Sequence, residues 1–368
     1  MKIIHIHVYS IELPVANGPY TYSGGSLYSV NSTVLEIITD SGLSGFGECC
    51  PVGPTYAAEH ARGAVAALAE LAPALIGENP LAFNTIHNCM ESHLHSHSYA
   101  KAAIDIALWD IAGKHYDARI CDLLGGAQTE NVPSYYTTGS VTPDEAARIA
   151  IEKRDQEFER LQIKVGGRDI AEDIETIIKV YEAVGNNMRL AADANRAWTT
   201  RDAIFASNAL QHVPIVFEQP CNSLTDIITI RKLISHPIYI DESSIDIQTV
   251  VNAAGHGWCD GFGFKLTRFG GISGLRQVRD ICKASNLPHT CDDAWGSDII
   301  AAACLHVGAT VDTQLNEGVW IAQPYIEGHY DSDNGIKIEQ GKIRLPQGPG
   351  LGITPERDKL SSPVASYG

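Results

Sequence analysis

Asp193, Glu218 and Asp241 are carboxylates spaced 23 to 25 residues apart, each closing a short apolar run in AADAN, FEQP and IDES. Two lysines, Lys164 in LQIKVGG and Lys265 in FGFKLTRFGG, flank them and are placed in the same way. Three anions gathered at one mouth repel one another unless a cation neutralises them. All-oxygen ligands favour a hard divalent ion, and Mg2+ is the first choice because it keeps open positions for substrate oxygens. A lysine inside an apolar strand is costly unless paired or functional, and a nearby metal with partial burial is expected to lower its pKa toward neutrality. The pattern predicts one metal ion between two bases, an arrangement for removing a proton from one face of a bound acid and returning it to the other. Taken singly, each acid reads as a strand-end cap and each lysine as a salt-bridge partner. The matched spacing of all five favours a site.

That spacing corresponds to one strand, one helix and two loops, so the five side chains fall on successive strand ends of one barrel. From Val132 onward, SYYTTGS, RLQIKVGG, MRLAADANRA, IVFEQP, IYIDES, DGFGFKLTRFGG, LPHTCDDAWG and TQLNEGVW are strand candidates separated by helix-length intervals. Eight such units predict an α/β fold, a (β/α)7β barrel of the TIM type, rather than an open sheet. Before residue 126 the chain reads differently. IIHIHVYSIEL, NSTVLEIITD and GLSGFGE alternate as an antiparallel meander, and helical patterns follow over 57–75 and 98–116. The expected division is an α+β capping domain over 1–126, the barrel over 127–323, and a Pro- and Gly-rich segment over 324–368 that returns to the capping domain.

The 368 residues are 44% apolar and carry a net charge of -17, enough chain for a substantial core and a surface that repels nucleic acid and anionic membrane. No run approaches about 18 apolar residues, and Met1-Lys2 leads into a strand-like stretch rather than a secretory h-region. The expectation is a soluble, cytoplasmic protein. Its nine cysteines lack disulfide-like regularity and are expected to be reduced thiols.

These residues resemble the enolase superfamily, in its muconate lactonising subgroup, across essentially the whole chain. The resemblance implies that Asp193, Glu218 and Asp241 hold Mg2+ between Lys164 and Lys265, and that the chemistry begins with removal of the proton α to a carboxylate. One departure stands out: the subgroup's usual Lys-x-Lys becomes Gln162-Ile163-Lys164, so Lys164 lacks a lysine neighbour that would depress its pKa. The segments ECCPVGPTYAAEH, PHTCDDAWGSDI and LNEGVWIAQPY are similar to those of subgroup members that epimerise hydroxyproline betaine at C2. That likeness implies a small carboxylate substrate with a cationic nitrogen, received by the Trp320 ring face, closed over by Tyr56, and balanced by Asp292 or Asp293. A cation over an indole contributes on the order of 0.5 to 2 kcal/mol.

Glu317, taken to end the eighth strand, is expected either to contact the substrate carboxylate or orient a lysine, or to be structural. Gln162 and Asn195 are expected to support the ligands from behind. The implied activity is 2-epimerisation or racemisation of N-methylated prolines, namely 4-hydroxyproline betaine and proline betaine. Its rivals are a cis-3-hydroxyproline dehydratase using the same metal and lysines and, further off, a sugar-acid dehydratase. Homo-oligomerisation is expected by resemblance alone.

Other features are less telling. His93, His95 and His97 alternate and could form a metal face, yet lie far in sequence from the carboxylates. KVGGR and RFGGISG lack any phosphate-loop pattern and read as tight strand-to-helix turns.

Overall fold

The structure is a computed structural model that describes residues 1–53 and 55–368. Seven strands, Tyr136–Thr137, Arg160–Lys164, Arg189–Asp193, Ile215–Glu218, Ile238–Ile240, Gly261–Lys265 and His289–Asp292, pair in chain order and every pairing is parallel. Residues 316–319 take the eighth position without forming a full strand. Asn316 bridges His289 and Val319 bridges Ser134, both parallel, so the sheet curls back to its start. Ile163, Ala191, Ala192, Phe217, Ile238, Phe262 and Phe264 are completely buried, which is why these strands read as continuous apolar runs rather than alternating ones.

Side-chain caps set where the barrel helices begin. Thr142 accepts from the Glu145 amide ahead of helix Pro143–Asp155, and Thr199 with Asp202 forms a reciprocal capping box on helix Thr200–Ala209. Asp169 and Asp246 cap helices Ile170–Val184 and Ile247–His256 in the same manner.

The first module is a four-stranded antiparallel sheet in the order Ala365–Tyr367, Ile3–Pro14, Ser29–Thr39, Ser44–Cys49. Helix Ser98–Tyr116 is buried from Tyr99 to Gly113 and lies directly on the last of these strands. A Cβ at Gly45 would stand 2.2 Å from the Ala107 carbonyl oxygen and one at Gly47 1.7 Å from that of Ala103, so this contact requires glycine at both positions. The tail returns to this sheet through Ala365–Tyr367. It also pairs Lys342–Arg344 with Asn131–Pro133 at the entry to the barrel.

Two local readings change. The helix expected over 57–75 starts later, as Ala61–Leu75, because the His60 imidazole accepts from the Gly63 amide and caps it there. The helix Phe83–His93 escaped the sequence reading: only Ile86 and Met90 on it are buried, too few to mark an apolar face. His93, His95 and His97 do not converge. His93 ends that helix, His95 lies 3.7 Å from Glu91, and His97 lies 3.9 Å from Glu59. All nine cysteines are free. Among the described residues no helix is long and apolar enough to cross a membrane.

Candidate active site

Strand register brings the predicted groups together. Lys164 pairs with Asp193 on the next strand, and Asp193 in turn pairs with Glu218. Asp241 follows strand Ile238–Ile240, and Lys265 pairs with Asp292. All are buried around the carboxyl-end mouth of the barrel. The Lys164 ammonium donates to Asp193 Oδ2. The Lys265 Nζ lies 3.3 Å from Asp241 Oδ2 and 3.4 Å from Asp292 Oδ2. Glu218 is held on both oxygens, by Gln162 Nε2 at 2.9 Å and by Arg160 Nη2 at 3.2 Å.

The electrostatics run opposite to one expectation. Burial works against both ammonium groups, yet Asp193 beside Lys164, and Asp241 with Asp292 beside Lys265, outweigh it and hold both lysines above their ordinary values. Lowering toward neutrality is therefore not a property of the lysines as their carboxylate partners now hold them. Burial and the charges of Asp193 and Asp241 push Glu218 up to about 7, against the opposing pull of Arg160. Burial would raise Asp241 too, but Lys265 and Arg268 bring it below the usual carboxylate range.

The donor set fits a hard divalent cation. It consists of carboxylate oxygens only, and the burial and neighbouring anions that together raise Glu218 are what a cation offsets. Room for it depends on Gly263, where a Cβ would lie 2.9 Å from Glu218 Oε1 and 3.4 Å from Asp241 Cβ. The three acids do not stand as a ready-made ligand group, and no such cluster occurs among the described residues. Asp193 is turned to Lys164 and Asp241 to Lys265 and Arg268, whose Nη2 is 2.8 Å from Oδ1.

Above these groups opens a cavity lined by both lysines, Asp193 and Asp241, and by Gln162 and Asn195. Its other walls are aromatic. Trp320 meets Trp295 edge on at 5.8 Å and stacks on Tyr325 at 5.4 Å, while Tyr20 packs edge on against Trp295 at 5.4 Å. Tyr56 comes in from the capping module, its hydroxyl 3.4 Å from Asp241 Oδ1. Asn195 donates its backbone amide to Asp193 at 2.8 Å and its side chain to Glu242 at 3.1 Å.

The acidic pair separates. Asp293 lines the cavity, with its oxygens on the amides of Thr267 at 2.8 Å and Ala294 at 2.7 Å, and burial pushes it up to about 6. Asp292 is absent from the lining. It points into the barrel, where the Tyr135 hydroxyl donates at 2.7 Å and the Trp320 amide at 2.6 Å.

Glu317 is a correction. It sits at the opposite, amino-terminal mouth, bonded by Arg189 Nη1 at 2.9 Å and 3.4 Å from Arg160 Nε, and so touches neither the cavity nor a lysine. The cause is where the eighth segment begins. Residues 313–315 form a turn and Asn316 makes the first bridge, which leaves Glu317 at the segment's start rather than its end.

The sequence reading passed over Arg268, Glu242, Trp295 and Tyr20. Arg268 stands three residues past Lys265 and Glu242 next to Asp241, so both sit within segments already singled out. Burial and the neighbouring Asp241 and Asp193 push Glu242 up to about 8. Trp295 lies on a loop, and Tyr20 opens the short hairpin strand Tyr20–Tyr22, three residues too short for any periodicity to report which way its ring faces.

Comparison with known proteins agrees with this architecture. The family model "Mandelate racemase / muconate lactonizing enzyme, N-terminal domain" matches residues 5–125, and "Enolase C-terminal domain-like" matches 144–359. A cis-3-hydroxy-L-proline dehydratase of Roseibium aggregatum is 36% identical over the full length of both chains. An enolase superfamily member from Roseovarius nubinhibens, solved with magnesium, superposes with a TM-score of 0.94 at 32% identity, covering 100% of this chain and 99% of the other. A dipeptide epimerase from Enterococcus faecalis, solved with Mg and L-Leu-L-Tyr, gives 0.90 at 30% identity, covering 96% of this chain and all of the other.

Proposed function

The chain belongs to the enolase superfamily, in its mandelate racemase/muconate lactonizing branch, and from that premise we propose that it is a Mg2+-dependent 2-epimerase of N-methylated prolines, acting on 4-hydroxyproline betaine and proline betaine. The observation that carries the reading is the aromatic wall of Trp320, Trp295 and Tyr20 facing a mouth that holds two lysines. A methylated nitrogen has no N–H to donate, so ring faces with a nearby carboxylate receive it better than hydrogen-bond acceptors do. Tyr56 and Asp293 complete that wall.

Asp193, Glu218 and Asp241 would hold Mg2+, which when bound supplies charge neutralisation at the substrate carboxylate and takes over carboxylates that now hold the lysines as ammonium ions. The chain's own groups do the rest. Lys164 and Lys265 stand on the second and sixth strands, four apart and hence across the barrel from each other. The unprotonated lysine removes the C2 proton from one face and the ammonium of the other delivers a proton to the opposite face. Their roles exchange with the configuration of the substrate. Gln162 orients Glu218, Asn195 orients Asp193, and the rings exclude water from the C2 centre.

A second reading, dehydration of cis-3-hydroxyproline, is favoured by the full-length similarity to the Roseibium dehydratase. The same proton abstraction would expel the 3-hydroxyl instead of being followed by reprotonation. Parallel incubations with 4-hydroxyproline betaine and cis-3-hydroxyproline, with Mg2+, separate the two by chiral chromatography and by detection of the cyclic imine. The proposal expects the betaine epimer and no imine. Imine formation with an unaltered betaine would replace it by the second reading.

A further inference from the structure

We propose that Arg160 is the positioning residue for Glu218, and that it supplies from within the barrel the positive charge that the subgroup's second-strand motif carries at position 162. Residues 160, 162 and 164 share the inward face of strand Arg160–Lys164, so their side chains stack up the barrel interior. At the top Lys164 reaches Asp193. In the middle stands Gln162, whose neutral amide donates to Glu218 Oε1 at 2.9 Å. At the bottom Arg160, 2% exposed, lies 3.2 Å from Glu218 Oε2 through Nη2 and 3.4 Å from Glu317 Oε2 through Nε. Its guanidinium also rests 4.2 Å from the centroid of the Tyr135 ring.

The departure from Lys-x-Lys therefore does not leave Glu218 without a cation. The charge has moved two residues down the same strand face and approaches the carboxylate from the amino-terminal end of the barrel. A guanidinium suits this place because its planar fork can bridge two carboxylates, which a single ammonium on a flexible stem does poorly. Glu317 acquires a purpose here: it anchors the second edge of Arg160 and is itself tied by Arg189 at 2.9 Å. The resulting line, Arg189–Glu317–Arg160–Glu218, connects the solvent at the amino-terminal mouth to the centre of the site. Glu218 is buried completely, so removing the arginine leaves its carboxylate in the core with the neutral Gln162 amide but without the guanidinium on Oε2.

The inference depends on the proposed function only in giving Glu218 a place in the site, and its test needs no substrate. Thermal unfolding in EDTA is compared for the natural protein, Arg160→Met, Gln162→Lys, and the double variant. Methionine keeps the apolar stem and removes the charge. Arg160→Met is expected to lower the melting temperature by roughly 5–10 °C. The double variant is expected to regain at least half of that loss, beyond any effect of Gln162→Lys alone. Packing on Tyr135 would not be rescued by a lysine two positions away, so additive behaviour overturns the proposal. If Arg160→Met does not fold, recovery of soluble protein in the double variant supports the proposal and continued insolubility contradicts it. With Mg2+ and substrate, kcat should recover in the double variant alongside stability. Failure to turn over any betaine would sink the proposed function while leaving the melting comparison to decide this inference.

Discussion

The Trp320 and Trp295 indoles meet edge on, with centroids 5.8 Å apart and planes at 74°. Each ring braces the other, and Tyr325 stacks on Trp320 at 5.4 Å. This locks the wall that is proposed to receive the substrate nitrogen and makes the cost of losing a ring measurable.

Trp320→Ala should raise KM for the betaine by about 2- to 30-fold, the span of a cation–π contact of 0.5 to 2 kcal/mol. Mg2+ affinity, measured by titration calorimetry, should change far less, since Trp320 touches none of the three acids. Unaltered betaine affinity would remove Trp320 from the cation site.

Gly263→Ala tests the room around the carboxylates. The new Cβ would stand 2.9 Å from Glu218 Oε1, closer than side-chain carbons approach a neighbour without something shifting. Overpacking of this kind costs about 1–3 kcal/mol, and here the atom that must give way is a proposed metal ligand. The expected outcome is a lower melting temperature together with at least tenfold weaker Mg2+ binding. A stable variant with native Mg2+ affinity would show that Glu218 is not confined as described.

Buried histidines should make stability depend on pH below neutrality. His306 accepts at Nδ1 from the Cys121 amide at 3.3 Å, donates from Nε2 to the Leu351 carbonyl at 3.1 Å, and is pulled down to about 4 by burial. A histidine lowered on folding contributes stability that is complete above its unfolded value near 6.5 and is lost as pH falls toward 4. The loss is on the order of 3 kcal/mol, since one pKa unit corresponds to about 1.4 kcal/mol. Asp293, pushed up to about 6, has the opposite sign, its contribution fading as pH rises through that value. The comparison is therefore with His306→Gln. Denaturant unfolding should show the natural protein losing its advantage over the variant between pH 6.5 and 4, and parallel curves would contradict the assignment.

What the sequence made legible follows from strand geometry. Asp193 and Glu218 end apolar runs on adjacent parallel strands, so matched spacing became matched register and the two residues pair across the sheet. Glu317 was misplaced because an apolar-polar pattern does not say at which residue a strand begins, and three residues of TQLNEGVW belong to a turn. Arg160 was passed over because an arginine at the start of a strand ordinarily faces water, whereas here the curled sheet turns it inward onto Glu218. The choice between Asp292 and Asp293 could not be read from adjacency: successive strand residues face opposite ways, and only the fold says which side is the cavity. Tyr20 reaches the wall from the capping module, through a tertiary contact that no local pattern encodes.

The central claim is that two lysines serve opposite faces of one carbon. It is tested most directly by 1H NMR of the C2 proton in D2O, with Mg2+ and each C2 epimer of 4-hydroxyproline betaine, for the natural protein and for Lys164→Ala and Lys265→Ala. The account predicts that the natural protein inverts both epimers and places deuterium at C2. Each variant should fail to invert, and exchange the C2 proton of one epimer only, the two variants sparing different epimers. Absence of exchange with both epimers in the natural protein, or inversion by either lysine variant, would contradict it.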